Sequence, residues 1–405
     1  MCTFVPLIFY DLKYFLYFSI FILLFACGAT QTNTETGYQA PPPLSPDSVS
    51  KILLKIHAKE KAYCIDTLFK NKVKNAGFNG CVLVAQSGQI IYEKAFGYAN
   101  FKSKDSLHIN SAFQLASASK TLTSAAILLL KDRGKLKLTD LVQTYLPEFP
   151  YPLVTIKMLL THRSGLSNYI YFCEPFCEKP NMYKGGIFDN RAMYEIIKTS
   201  KPDVYAQPDK KFEYCNTNYA LLALIVEKAS GMPFPEFMET AIFKPLGMNN
   251  TWIHDPKTDA THKNKTIGYN ATGKVEEDTY ADDVIGDKGV YSTVEDMFKW
   301  DQALYSEQLL KKETIAEAFK GYSNEHKGKR NYGYGWRMID DGKNPKIIYH
   351  NGWWHGYNSL FLRRPDDKTT IIVLSNKYNR TTYQMQGVLS ILSGDSGAAD
   401  MEGEE

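Results

Sequence analysis

Apolar residues near the start of the chain follow first a helical and then a strand period. Residues 48–75 space their apolar side chains at intervals of three and four with lysines between them, which predicts one amphipathic helix. Residues 80–85 and 89–96 are β-branched or alternating, and Gln86-Ser87-Gly88 lies between them. This pattern predicts two strands joined as a hairpin.

Helical periodicity dominates the middle of the chain, and strand patterns return only near its end. A helix predicted from Ser117 is closed by Gly134, and helical patterns continue from about residue 138 to 319. Further strands are predicted at residues 332–339, 346–349, 357–363 and 369–375, before an amphipathic segment at 382–392. We therefore expect an α/β (α+β) fold in which one sheet, built from both ends of the chain, faces a helical lobe. A cleft between them is the expected site.

The composition narrows the class of protein. The chain has 405 residues, of which 44% are apolar and 13% aromatic, so it can bury a large core. Its net charge is only +3 and no long Lys/Arg run occurs, so a nucleic-acid partner is not expected. None of the eight histidines has His-x-His or His-Glu-x-x-His spacing, and no phosphate-binding glycine loop is present. Neither a metal nor a cofactor is expected.

The N-terminus resembles a secretory signal with a bacterial lipoprotein box. An apolar run follows Lys13 and ends in Leu24-Phe25-Ala26-Cys27-Gly28. On this hypothesis residues 1–26 are removed, Cys27 carries a lipid, and residues 27–47 form a flexible tether. The alternative is an uncleaved membrane anchor. Either form predicts an exported, membrane-attached protein that faces the periplasm or the cell surface. At the other end, the acidic, Gly-rich residues 393–405 are predicted to be disordered.

Ser117 and Lys120 are the first candidates for chemistry. They lie three residues apart at the start of an apolar helix, so their side chains share a face. A serine hydroxyl is a weak nucleophile until a neighbouring group takes its proton, and a desolvated lysine can do this. The spacing alone is not specific, because Ser48 and Lys51 match it in what is better interpreted as a solvated helix start. Tyr-x-Asn likewise occurs more than once in the chain.

Several segments in order resemble the class C β-lactamase and penicillin-binding-protein superfamily of serine hydrolases. The three motif segments are Leu115-Ala116-Ser117-Ala118-Ser119-Lys120-Thr121, Phe212-Glu213-Tyr214-Cys215-Asn216-Thr217, and His350-Asn351-Gly352. Connecting segments such as Leu160-Thr161-His162-Arg163-Ser164-Gly165-Leu166 are also similar. The resemblance covers about residues 79–378. It implies that residues 48–392 form a β-lactamase/transpeptidase-like serine hydrolase domain, with an antiparallel sheet flanked by helices and an inserted helical lobe.

The resemblance also implies roles for individual residues. Ser117 would attack a carbonyl carbon while Lys120 and Tyr214 share the proton transfer, and which of the two is the base stays open. Asn216 would orient both substrate and lysine. The backbone N–H groups of Ser117 and Trp353 would form the oxyanion hole. His350, Asn351, Gly352 and Trp353 would therefore line the substrate.

The third motif departs from the Lys-Thr-Gly that is common in β-lactamases. His350 resembles the residue found in some D-alanyl-D-alanine peptidases and related esterases. A histidine is only partly charged near neutral pH, so it is expected to be a weaker and pH-sensitive partner for a substrate carboxylate. Asn351 replaces a hydroxyl with an amide. Efficient β-lactam hydrolysis is therefore in doubt, although acylation by a β-lactam stays open.

The function expected is that of an exported serine hydrolase that forms an acyl-enzyme with a D-amino-acid peptide, a small ester or a related amide. Two alternatives are a β-lactamase and a penicillin-binding or sensor lipoprotein that is acylated without turnover. A scaffold with a vestigial pocket is a further alternative, which the intact motif residues disfavour. The oligomeric state is left open.

Overall fold

A seven-stranded antiparallel sheet is built from strands near both ends of the chain. Its order is β2-β1-β12-β11-β10-β9-β8. The strands of the fold are β1 Gly80–Gln86, β2 Gln89–Phe96, β3 Tyr98–Asn100, β4 Asp105–Ser106, β5 Phe113–Gln114, β6 Trp252–Ile253, β7 Val290–Ser292, β8 Arg330–Tyr332, β9 Arg337–Ile339, β10 Ile347–Trp354, β11 Tyr357–Arg364 and β12 Thr369–Ser375. β1 pairs with β12 from Gly80↔Ser375 to Ala85↔Thr370, so the expectation of one sheet made from both ends is confirmed.

The computed structural model describes residues 43–177, 187–325 and 328–393. The predicted leader 1–26, Cys27, most of the tether and nearly all of the acidic tail lie outside the described residues. Within the described part of the chain, no helix is both long and apolar enough to cross a membrane.

Helices cover both faces of the sheet. They are α1 Pro46–Lys55, α2 Ala58–Ala76, α3 Ser119–Asp132, α4 Ile156–Leu160, α5 Tyr169–Phe172, α6 Glu174–Cys177, α7 Asn190–Ser200, α8 Asn216–Ser230, α9 Phe234–Met238, α10 Val294–Ala303, α11 Lys312–Ala318 and α12 Gln386–Ser393. Alternate residues of a strand point to opposite faces. In β1, Val82 and Val84 accordingly pack in the core on the α2 and α12 side, while Leu83 and Ala85 join the core of the helical lobe.

Two helices form the centre of the lobe. Every residue of α3 from Ser119 to Leu130 is buried, and α8 is buried from Thr217 to Val226. A helix that is buried all round belongs in the interior of a large domain. α3 packs on α8, and the turn that leads into α3 packs on β10. The start of α3 is therefore held where the lobe meets the sheet.

Three local features differ from the expectation. Residues 48–75 form two helices rather than one, because His57 adopts a left-handed conformation with φ of 52° between α1 and α2. A small sheet of order β5-β7-β6 was not expected, since each strand is only two or three residues long. Residues 332–339, expected as one strand, instead contain the end of β8 and all of β9, which pair antiparallel with each other.

Candidate active site

Ser117 is held in a strained turn against the sheet. The preceding residue, Ala116, has a φ of 47°, which an alanine adopts only where the surrounding structure enforces it. Ser117 is half-buried between the buried Ala116 and Ala118. At Gly352 of β10, an added Cβ would lie 2.3 Å from the Leu115 carbonyl oxygen and 2.7 Å from the Ser117 nitrogen. The glycine of the third motif therefore lets the strand approach the serine backbone.

Lys120 is fully buried and contacts Ser117. Its Nζ donates to Ser117 Oγ at 3.0 Å, to Asn216 Oδ1 at 2.8 Å and to the Asp287 carbonyl oxygen at 2.8 Å. It also lies 5.1 Å from the ring centroid of Tyr214. The structure therefore brings the first two motifs together around one amino group.

The Tyr214 segment is positioned by a buried histidine. His162 Nδ1 accepts a hydrogen bond from the Cys215 N–H at 3.1 Å, and the His162 carbonyl accepts one from the Glu213 N–H at 2.8 Å. The His162 ring centroid lies 4.4 Å from that of Tyr214. Burial and then the charge of Lys120 hold the pKa of His162 well below its ordinary value. His162 is therefore a neutral support for the tyrosine.

His350 lies beneath the site rather than in the cleft. Its side chain is fully buried, with Nδ1 2.7 Å from the Asn351 carbonyl oxygen and Nε2 3.1 Å from the Tyr332 hydroxyl. Burial, then Arg337 and then Lys120 hold its pKa well below the ordinary value. The imidazole is therefore neutral near pH 7. A partly charged partner for a substrate carboxylate was expected, and the structure corrects this because the ring is enclosed and next to two cations.

Trp353 lies where β10 has an open edge. The hairpin between Trp354 and Tyr357 has a two-residue loop, and His355 and Gly356 both have positive φ, as a type I′ turn requires. Because hydrogen-bonded and non-hydrogen-bonded pairs alternate, the backbone N–H of Trp353 faces away from β11. β9 pairs with β10 only as far as Tyr349, so nothing in that strand covers this edge. Trp353 is 54% exposed, and Asn351 is half-buried.

Arg337 of β9 was missed by the sequence analysis. Its guanidinium carbon lies 4.8 Å from the Tyr214 ring centroid, and the residue is only 9% exposed. β9 pairs with β10 with Arg337 opposite Tyr349, one residue before the third motif. Strand alternation could have placed Arg337 on a sheet face, but only the pairing register brings it to the tyrosine. Across the described ranges, no group of three or more His, Cys, Asp or Glu side chains could hold a metal ion.

The chain is similar to known proteins in both sequence and structure. The family model described as Beta-lactamase matches residues 65–391. Penicillin-binding protein 4* of Bacillus subtilis (strain 168) is 35% identical over 334 residues, which cover 79% of this chain and 73% of that protein. The octameric penicillin-binding protein homologue from Pyrococcus abyssi superimposes with a TM-score of 0.70 at 25% identity, over 82% of this chain and 77% of that one.

A second solved structure has a similar fold. The penicillin binding protein from Bacillus halodurans superimposes with a TM-score of 0.68 at 25% identity, covering 80% of this chain and 98% of that one. The expected fold, an antiparallel sheet with flanking helices of the β-lactamase/transpeptidase type, is therefore confirmed. The chain belongs to the β-lactamase and penicillin-binding-protein superfamily of serine hydrolases.

Proposed function

We propose that the protein is an acyl-transferring serine hydrolase with Ser117 as its nucleophile. The observation that carries the proposal is the set of three contacts around the Lys120 amino group. Asn216 Oδ1 and the Asp287 carbonyl oxygen can only accept hydrogen bonds, and both lie at 2.8 Å. If Lys120 is neutral, its two N–H groups donate to these two oxygens, and the lone pair of Nζ then faces Ser117 Oγ at 3.0 Å. These contacts support Lys120, alone or together with Tyr214, as the acceptor of the serine proton.

The reaction then follows from these positions. Ser117 Oγ forms a bond to the carbonyl carbon of the substrate as its proton passes to Lys120 Nζ, directly or with Tyr214 as a relay. The carbonyl oxygen gains negative charge and accepts hydrogen bonds from the backbone N–H groups of Ser117 and Trp353. Collapse expels the leaving group, which takes a proton from Lys120 or Tyr214. Water attacks the acyl-enzyme and restores Ser117.

We propose a D-amino-acid peptide, a small ester or a related amide as the substrate class, with a β-lactam as the alternative. A neutral, enclosed His350 cannot supply the positive charge that a Lys-Thr-Gly lysine would offer a substrate carboxylate. Arg337, next to Tyr214, is the fixed cation beside the site and is proposed to take that part through a charge-assisted hydrogen bond. The names of the relatives, which are penicillin-binding proteins, support a peptide or β-lactam acyl donor.

The experiment is a labelling comparison on residues 43–393 as wild type and Ser117→Ala. Each protein is exposed to a fluorophosphonate, a labelled penicillin and a p-nitrophenyl ester, and intact mass is followed with time. A single adduct that maps to Ser117 and is lost in the variant is the expected result. Release of the adduct identifies turnover and ranks the substrates. A penicillin adduct that persists, with no ester or D-alanyl peptide turned over, would favour the non-turnover sensor. Absence of any label on Ser117 would refute the proposal.

We further propose that the chain is exported and attached to a membrane through lipidated Cys27. The support is the lipoprotein-box sequence that ends in Ala26-Cys27-Gly28. Mass spectrometry of the N-terminal peptide from the host tests it. A diacylated Cys27 as the first residue is expected, and an intact Met1 end would favour the uncleaved anchor instead.

A further inference from the structure

A buried pair of opposite charges lies immediately behind Lys120. Asp287, whose backbone carbonyl accepts from Lys120 Nζ, has a side chain only 2% exposed, and that of the next residue, Lys288, is 3% exposed. Lys288 Nζ donates to the Tyr169 hydroxyl at 2.6 Å and to the Val284 carbonyl at 2.8 Å. The Tyr169 hydroxyl in turn donates to Asp287 Oδ2 at 3.2 Å. These three side chains form one closed network.

A contribution to the stability of the fold does not explain why this charged pair is buried here. The Lys288 Nζ and Asp287 Oδ1 atoms are 3.8 Å apart, beyond hydrogen-bond reach, and Asp287 Oδ1 has no hydrogen-bond partner in the described residues. Buried ion pairs with imperfect geometry are commonly no more stable than apolar side chains of the same size. The proposed reaction uses only the backbone of Asp287, so both charges are left without a part in it.

The charges that surround Lys120 are few. His350 of the sheet and His162, Cys215, Tyr214 and Tyr219 of the lobe lie within reach of its charge or against it, and Arg337 lies against the same Tyr214 ring. Burial keeps both histidines neutral, raises the pKa of the Cys215 thiol to about 11, and raises that of Tyr219 well above its ordinary value. The charged side chains that remain to act on the Lys120 amino group are therefore those of Arg337, which lies against the same Tyr214 ring, and of the pair Asp287 and Lys288.

Lys288 is itself within the field of Lys120 and of the nearby carboxylates. Burial lowers its pKa, Asp287, Asp282 and Asp283 oppose that lowering, and Lys120 adds to it. Trp354 covers Lys288, with its ring centroid 4.9 Å from Nζ. Since solvent does not reach the pair, little screening separates it from Lys120.

We propose that Asp287 and Lys288 are positioning residues that balance the charge around Lys120 and thereby set the pH at which it can accept the Ser117 proton. The inference rests on the proposed function of Ser117 and Lys120. Lys288 disfavours a second positive charge on Lys120, and Asp287 favours one. The backbone of the same Asp287 holds the amino group in place, so the pair controls position and charge together.

The experiment measures the rate of fluorophosphonate labelling of Ser117 against pH. Lys288→Met leaves the negative charge of Asp287 without its opposite charge, which favours protonation of Lys120. The acid limb of the plot of labelling rate against pH is therefore expected to move to higher pH by about one pH unit. In Asp287→Asn, Lys288 is left unbalanced, and the limb is expected to move to lower pH. The double variant has neither charge, and its limb is expected to return close to that of the wild type. A purely structural part would not produce opposite shifts that cancel.

The outcomes separate this inference from the proposed function. If the wild type is never labelled at Ser117, the proposed function fails. If the wild type is labelled with a clear acid limb and the variants that retain the wild-type circular dichroism spectrum show no shift, only the charge-balancing inference is overturned. Shifts of the same sign in both single variants overturn it as well. The inference is supported if at least one correctly folded single variant shifts the acid limb in the expected direction and the limb of the double variant lies close to that of the wild type.

Discussion

Replacing Gly352 with alanine is expected to displace the nucleophile without unfolding the protein. The added Cβ would lie 2.3 Å from the Leu115 carbonyl oxygen, about 1 Å short of the 3.4 Å at which ordinary van der Waals contact begins. It would also lie 2.6 Å from Ser359 Oγ and 2.7 Å from the Ser117 nitrogen. Because two of the three neighbours are backbone atoms, β10 and the turn before α3 must separate by about that amount.

The size of the effect follows from the displacement. A shift of about 1 Å in reacting groups costs about 100-fold in rate. Overpacking of this kind lowers the free energy of unfolding by about 1–3 kcal/mol, which a domain of this size can tolerate. We therefore expect Gly352→Ala to label at Ser117 about 100-fold more slowly than the wild type, while it keeps a cooperative thermal transition.

The assay is the initial rate of fluorophosphonate labelling at 25 °C, with thermal unfolding measured in parallel. Gly328→Ala is the matched control, since a Cβ there would meet nothing within 4 Å and the glycine has no positive φ. That variant is expected to label at the wild-type rate. A wild-type rate in Gly352→Ala would refute the reasoning, and so would an equal loss of rate in both variants.

Two further predictions concern buried charges. Arg363 Nε donates to Asp301 Oδ1 at 2.6 Å with both side chains fully buried, so Asp301→Ala is expected to lower the free energy of unfolding by about 3–5 kcal/mol in urea titrations. Asp301→Leu combined with Arg363→Met should recover most of that loss; an equal or greater loss would contradict this account. Burial would raise the pKa of Asp282, but hydrogen bonds from His355 and Trp354 lower it to about 2. A carboxyl group whose pKa is lower in the folded than in the unfolded protein stabilises the fold at pH values above its unfolded pKa of about 3.9. This stabilisation is lost as the pH falls toward 2. Asp282→Asn should therefore flatten the dependence of unfolding temperature on pH between about 4 and 2, and an unchanged slope would count against it.

Local signals predicted much of the sheet and the start of the site. The hairpin around Gln86-Ser87-Gly88 was predicted because alternation and a glycine turn lie within a few residues of each other, and Gly88 has the positive φ that the turn needs. The Ser117 helix followed from apolar periodicity that Gly134 ends. Both signals act over one turn or one strand pair, which is the range over which sequence patterns are informative.

What the sequence did not show depends on contacts between distant segments. The burial of His350 comes from Tyr332 and the pairing of β9 with β10, and no property of the tripeptide His350-Asn351-Gly352 reveals it. Arg337 reaches Tyr214 for the same reason. The break at His57 arises although the apolar spacing continues across it, so periodicity alone could not place the end of α1.

The position of β12 makes the sheet depend on the last of its strands in chain order. β12 lies between β1 and β11, so the last strand of this sheet to be synthesised is an interior strand. Until it does, β1 and β11 each present an unpaired edge, and exposed edges of this kind promote association between chains. A chain that stops before Thr369 therefore lacks an interior strand rather than an edge strand. Truncated products are expected to aggregate, and the nascent chain needs protection until β12 has been synthesised.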